Sequence, residues 1–421
     1  MGEAWGRELK CTGRTPEREE GDAERSGGCR MEARIVQRGA SNLRVVELRR
    51  LFTVDRPWRS RLLLDKPQVR YAILGAVDRC NPPRDEQEAE RILERLRDNG
   101  VLTPGQLEEI LADPAGAVGM LAEAVRDNPL PTGYSALLDQ EFGLLARGAV
   151  EGFPPAGTRR PSAAPLLEVD PSRAKSAPWS ADLTLKATPV PRLRTVLVQT
   201  GYRRMVGRMT GGEGESARSV GVSFEKDGRK WYPGAEFLGE GLLVTADQPG
   251  VTLPRLTGEA TAAWTGAAGG AGRYPEFVFR DPGRRDELQP WFVWWHTLAH
   301  LLIRALSAHA GYSAASMGER VYLVRGGGGI RGGVLLHAVR PGSEGTLGGL
   351  VALANQFPKL LERAREMAAT CSNDPLCRER RPGLAFLSGA SCYGCTLLPE
   401  TSCEHRNLWL DRNVLLESLD S

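Results

Sequence analysis

CSNDPLC (371–377) and SCYGCTLLPETSCEH (391–405) carry five of the eight cysteines of this 421-residue chain within 33 positions. The spacing is C-x5-C, then a gap of fourteen residues, then C-x2-C-x7-C. Zinc takes four soft ligands in a tetrahedron, and a C-x2-C pair lets two thiolates converge from one tight turn. Gly394, inside that turn, relieves its backbone. Cys392, Cys395 and Cys403, with one of Cys371 and Cys377, are therefore the expected ligands of one structural zinc. One thiol is left over, and His405 is a weaker competitor. In a chain expected to be cytoplasmic, such a cluster reads as metal ligands rather than disulfides. The other three cysteines (Cys11, Cys29, Cys80) are scattered through the first 80 residues.

Working outward, WFVWWHTLAHLLIRALSAHAG (291–311) is apolar nearly all round, which indicates a buried helix. VYLVRGGGG (321–329) and GGVLLHAV (332–339) read as two strands joined by the loop GGGGIRGG. NQFPKLLERAREMAATC (355–371) reads as an amphipathic helix leading into the cysteines. Upstream, VPRLRTVLVQTGYRRM (190–205) and EFLGEGLLVTAD (236–247) are β-branched and apolar runs bounded by Gly and Pro, so strands are expected. GEATAAWTGAAGGAGRYPEF (258–277) reads as a Gly/Ala-rich loop.

Residues 85–129 carry helical patterning. In DEQEAERILERLRDNG (85–100) the apolar Ile92, Leu93 and Leu96 share one face, and Gly100 ends the helix. TPGQLEEILADP (103–114) places Thr103 at an N-cap and Pro104 at the first helical position. AVGMLAEAV (117–125) and LLDQEFGLLARG (137–148) extend the helical series.

The expected organisation is mixed α+β with several domains. Residues 1–30 read as a disordered tail, 31–150 as a mostly helical domain and 151–190 as a Pro/Ala-rich linker or loop. A β-rich middle covers 191–280, and 281–421 forms an α/β C-terminal domain closed by the zinc module at 371–405.

Charge excludes a polycation: formal net charge is +3. Of the 55 basic residues seven are Lys and 48 Arg. Arg pairs bidentately with phosphate, but abundant Ala, Gly and Pro favour a GC-rich coding bias as the reason. No run of 18 apolar residues occurs, so no bilayer-spanning helix is expected, and the cytoplasm is the expected location.

Catalytic motifs are few. HTLAH sets His296 and His300 one turn apart on a helix face, but Thr297 stands where a zinc protease carries its Glu. A packed, hydrogen-bonded pair is the reading taken. GGGGIRGG (326–333) lacks the Lys of a phosphate-binding P-loop, so ATP hydrolysis by this chain is not expected. The Gly-rich turn SEGTLGGL (343–350) reads as close backbone packing, with an anion nest as the alternative.

The quoted C-terminal segments, together with WHTLAHLLIRALSAHAGYSAASMGERVYLV (295–324) and GASCYGCTLLPETSCEHRNLWLDRNVLL (389–416), resemble the DrmB family of DISARM phage-defence systems. A related zinc domain occurs in some DNA-repair helicases. LLDQEFGLL (137–145) and WYPGAEFLGEGLLV (231–244) are similar to segments upstream in that family. The resemblance implies a partner role beside a separate SNF2-like helicase, both engaging DNA during defence. It implies Cys377, Cys392, Cys395 and Cys403 as ligands, with Cys371 the alternate. It also matches His296, His300, Glu344, Gly345, Gly348, Gly349, Asp411 and Arg412, read as packing or domain-contact residues. The expected function is a non-catalytic accessory subunit with a structural zinc. The alternatives are a metal-dependent hydrolase or nuclease using His296, His300 and Glu344, and a stand-alone DNA-binding module.

Overall fold

The computed structural model describes residues 45–419 apart from 53–66, 78–82, 113, 126–133, 154–166, 204–218, 227–228, 248–253, 275–278, 280–283, 311–312, 327–328, 339–348 and 385–386. The expected disordered tail, and Glu344, Gly345 and Gly348, lie outside the described residues.

In chain order the strands are β1 (Val45–Phe52), β2 (Leu167–Glu168), β3 (Lys175–Pro178), β4 (Thr184–Arg203), β5 (Ser219–Gly221), β6 (Phe224–Lys226), β7 (Arg229–Trp231), β8 (Gly234–Ala246), β9 (Met317–Gly326) and β10 (Gly329–Ala338). The helices of more than one turn and a half are α1 (Pro67–Ala76), α2 (Glu86–Asp98), α3 (Pro104–Leu111), α4 (Pro114–Val125), α5 (Tyr134–Glu151), α6 (Glu259–Gly269), α7 (Pro290–Ala310), α8 (Phe357–Ala369) and α9 (Arg412–Glu417). The fold is mixed α+β, as the sequence leads one to expect.

Two compact units divide the chain differently from the expected linear series: Met1–Leu51 with Val196–Glu236, and Phe52–Thr195 with Phe237–Ser421. The first holds β1, β5 and the β6–β7 hairpin, in which Phe224 pairs with Trp231. The second holds the helices and the strands that bear on the site.

Local signals set the helical part of the second unit. Asp85 caps α2 by accepting from the Glu88 N–H at 2.8 Å, and acidic and basic residues occupy its first and last turns as the helix dipole favours. At α3 the Thr103 hydroxyl accepts from the Gln106 N–H while Gln106 Oε1 accepts from the Thr103 N–H, a reciprocal capping box. Their apolar faces meet α1 and α4 in one cluster centred on Ile73, Leu93 and Leu121.

The sheet of the second unit is antiparallel. β10 pairs β9 from Gly329↔Gly326 to Ala338↔Met317, and pairs β8 from Gly333↔Thr245 to His337↔Gly241. Because side chains alternate along a strand, β9 sends Glu319, Val321 and Leu323 to one face and Arg320, Tyr322 and Val324 to the other. Val321 and Leu323 join the large core around α7. Tyr322 and Val324 join a second layer with Phe142 and Leu145 of α5. Gly333 permits that second layer, since a Cβ there would lie 2.8 Å from the Phe142 ring.

Helix α7 is the axis of the main core, with Trp294, Trp295, Leu298 and Ile303 fully buried. The Trp294 and Trp179 indoles both donate to Ser418 Oγ at 2.8 Å.

Two expectations are corrected. The stretch 151–190 is not simply a linker: β2 and β3 both pair with β4, and Trp179 and Leu185 are fully buried. Residues 258–270 are not a loop, for they contain α6. Its opening N–H groups at Ala260 and Thr261 donate to Glu417, 157 and 156 positions away. That cap comes from α9 and has no local signature.

Candidate metal centre

Helix α8 delivers the chain to Cys371. Asp374 Oδ2 accepts from the Cys371 N–H at 3.2 Å, and the Cys377 N–H donates to Asn373 O at 2.9 Å. This turn brings Cys371 and Cys377 to one place. On the facing segment, the Cys395 and Thr396 N–H groups donate to Cys392 O at 3.1 and 3.0 Å, closing the C-x2-C turn.

The sulfur atoms of Cys371, Cys377, Cys392 and Cys395 lie within 4.8 Å of one another. Sγ–Sγ distances are 3.8 Å for Cys377–Cys395, 3.7 Å for Cys392–Cys395 and 3.3 Å for Cys371–Cys392. Zinc–sulfur bonds of about 2.3 Å at tetrahedral angles would set such edges near 3.8 Å, so the donor set fits one zinc. A Cβ on Gly394 would meet Ser372 Oγ at 2.8 Å, Cys371 Sγ at 3.5 Å and Cys392 Sγ at 3.6 Å. Both sulfur separations are ordinary van der Waals contacts, and the exposed Ser372 hydroxyl would turn aside.

Buried charges support the module. Arg412, fully buried, donates to Ala368 O at 3.1 Å and pairs with Asp374. Asp411 is also buried. It accepts from the Ala390 and Asn413 N–H groups at 3.0 Å and from the Trp264 indole at 2.9 Å. Burial pushes its carboxyl up to about 6. Both side chains are thus held by hydrogen bonds inside the packed module. Cys392 is drawn down to about 6: burial opposes ionisation, but hydrogen bonds from Asn373 and Cys371 outweigh it.

Cys403 does not complete this set, and Cys371 is not spare. The chain between Cys395 and Cys403 crosses to α7, where Cys403 Sγ sits 3.3 Å from His296 Nε2. His296, His300, Glu319 and Cys403 form a second buried group, again with ligand atoms within 4.8 Å of one another. His405 lies beside it, with its ring centroid 5.2 Å from that of His296. The sequence left Glu319 unremarked. It stands on β9, 19 positions past His300, and strand alternation alone turns it toward the histidines.

Next to this group Arg320 Nη1 contacts both oxygens of Glu141 at 3.0 Å, and Nη2 contacts Glu404 at 2.8 Å. Burial raises the Glu141 carboxyl despite Arg320.

No helix among the described residues is long and apolar enough to cross a membrane.

Comparison with known proteins agrees with the metal chemistry. Residues 298–396 match the family described as the MrfA Zn-binding domain. The chain is 34% identical over 205 residues to the DISARM protein DrmB of Bacillus paralicheniformis, an alignment covering 48% of this chain and 36% of that protein. The chain thus spans about a third of the length of the curated relative it matches. A crystal structure of the DUF1998 helicase MrfA bound to DNA aligns over 60% of this chain and 24% of its own, at 12% identity and a TM-score of 0.29. That likeness is too low to argue from. The resemblance to DrmB read from the C-terminal segments is borne out, and the four grouped thiols suit the zinc that the matched domain is named for.

Proposed function

We propose that this chain is a non-catalytic accessory subunit of a DISARM-like anti-phage system, supporting an SNF2-like helicase partner on DNA. The similarity to DrmB carries the reading. The character of the cysteine site supports it. Four protein thiols occupy all four tetrahedral positions, whereas catalytic zinc keeps one position for water or substrate. The zinc therefore serves to hold the loop after α8 against the 392–395 turn.

The hydrolase alternative draws no support from its two histidines. His296 and His300 are fully buried and could not meet a substrate without unfolding their surroundings. The surface of the zinc module suits a docking role better. Tyr393 is 87% and Leu376 78% exposed, beside the exposed Arg378 and Arg381. Aromatic and Arg side chains are enriched in contacts with both proteins and nucleic acids.

The test is co-purification of the full chain with an SNF2-like helicase of a DISARM system, with and without duplex DNA. A complex that survives washing and is weakened by Tyr393→Ala supports the reading. A full chain that binds neither helicase nor DNA at any salt concentration contradicts it.

A further inference from the structure

Three segments distant in sequence bring His296 and His300 of α7, Glu319 of β9 and Cys403 together. His296, His300 and Glu319 are fully buried and Cys403 is 6% exposed. Such groups are rarely left in a core without compensation, because burying polar or charged groups unpaired is costly.

Their outer hydrogen bonds aim lone pairs inward. The His300 Nδ1–H donates to Thr396 O at 2.9 Å, which leaves Nε2 as an acceptor. That Nε2 has no hydrogen-bond partner among the described residues. His296 Nδ1 lies 3.3 Å from Trp409 O, so its Nε2 also faces inward. It sits 3.3 Å from Glu319 Oε1 and 3.3 Å from Cys403 Sγ. Glu319 Oε1 accepts from the Glu404 N–H at 3.1 Å, while Oε2 has no partner among the described residues. Cys403 Sγ accepts from the His405 and Asn407 N–H groups at 3.3 and 3.2 Å, which hold the sulfur in place from behind.

A proton on His296 Nε2 would answer Glu319 Oε1 alone. A Cys403 S–H would in turn answer Glu319, to which it is hydrogen-bonded, but His300 Nε2 would still have no partner among the described residues. One cation at the centre answers all four. Bonds of about 2.0 Å at tetrahedral angles put nitrogen and oxygen donors about 3.3 Å apart, the separation seen between His296 and Glu319. Carbonyls and amides that orient ligand atoms from behind are what metal sites carry around their ligands.

The geometry points to a second metal site, in which His296, His300, Glu319 and Cys403 hold a divalent cation. Two imidazoles, a carboxylate and a thiolate form a borderline-soft set, for which zinc is the fitting ion. The two anionic ligands neutralise a divalent charge. Full burial and four protein ligands make the site structural. It clamps α7 to β9 and to the 396–409 loop. Thr396, whose carbonyl orients His300, directly follows Cys395 of the first site, so the two centres share a segment.

The test is zinc per chain in the full-length protein purified from zinc-supplemented culture, with X-ray absorption at the zinc edge. Two zinc ions per chain are expected, one for each donor group, with an average shell of about 2.5 sulfurs per zinc. Cys403→Ser and His300→Gln should each drop the count to one and leave an all-sulfur shell. Cys371→Ser should instead leave a shell rich in nitrogen and oxygen. The wild-type count needs no variant to fold. One zinc per chain with a sulfur-only shell overturns the site.

Discussion

His296 Nε2 and Cys403 Sγ stand 3.3 Å apart although 107 positions separate them in the chain. Their proximity decides how the five clustered cysteines divide. Cys403 belongs with helix α7, and the four remaining thiols close around one zinc without it. The C-terminal module is thereby tied to the core helix through a different residue from those that hold its metal.

Replacing Cys392 or Cys395 with Ser should abolish the four-thiol site. Structural zinc of this kind supplies folding free energy on the order of 10 kcal/mol. The C-terminal segment should become protease-sensitive and lose its near-UV circular dichroism, and a chelator should do the same to wild type. A variant as thermostable and protease-resistant as wild type contradicts a structural role for the metal.

Gly394→Ala places a methyl group 2.8 Å from Ser372 Oγ. Ser372 is exposed and its hydroxyl can turn aside, so the destabilisation should be small, under about 1 kcal/mol. Gly266→Ala is the matching control. Its Cβ meets nothing within 4 Å, and it lies inside α6, where Ala is favoured over Gly by about 1 kcal/mol. Thermal denaturation should move in opposite directions for the two.

Arg320→Ala would leave Glu141 and Glu404 buried without their cation, with an expected loss of about 3–5 kcal/mol. Glu141→Gln added to it should restore part of that loss, because a neutral amide tolerates burial better. Chemical denaturation of the single and double variants reads the difference, and a double variant less stable than Arg320→Ala would count against the pairing.

Asp411 gives a pH signature. Its folded carboxyl is pushed up to about 6, above the ordinary value of 3.8. The folded state therefore holds a proton that the unfolded chain releases, and stability falls as pH rises from about 4 to about 6. The loss is about 3 kcal/mol across that window. Asp411→Asn does not titrate, so the stability of wild type relative to this variant should decline over the same window and level off above it. Both chains keep the same metal ligands, so acid release of metal largely cancels in the comparison. A difference that stays flat from pH 4 to 7 contradicts the assignment.

Much of this architecture was legible because its signals are local. The cap at Thr103, the apolar stripe of α2, the all-round apolar α7 and the C-x2-C turn each announce themselves within a few residues. What escaped depends on partners far along the chain. Helix α6 is capped by Glu417, so its Gly/Ala-rich sequence resembles a loop. The segment 167–190 folds because β4 pairs with it. Glu319 looks like any strand carboxylate until β9 packs on α7. Cys403 is nearest in sequence to Cys395, and nearness in sequence is what assigned it to the wrong group.

ATP hydrolysis, measured for the full chain alone and mixed with an SNF2-like DISARM helicase in the presence of DNA, is the deciding measurement for the proposed accessory role. No hydrolysis by the chain alone is expected, and the helicase rate should rise when the chain is added, with Cys395→Ser abolishing the rise. Hydrolysis of ATP by the purified chain alone, surviving loss of its metal, would contradict that role.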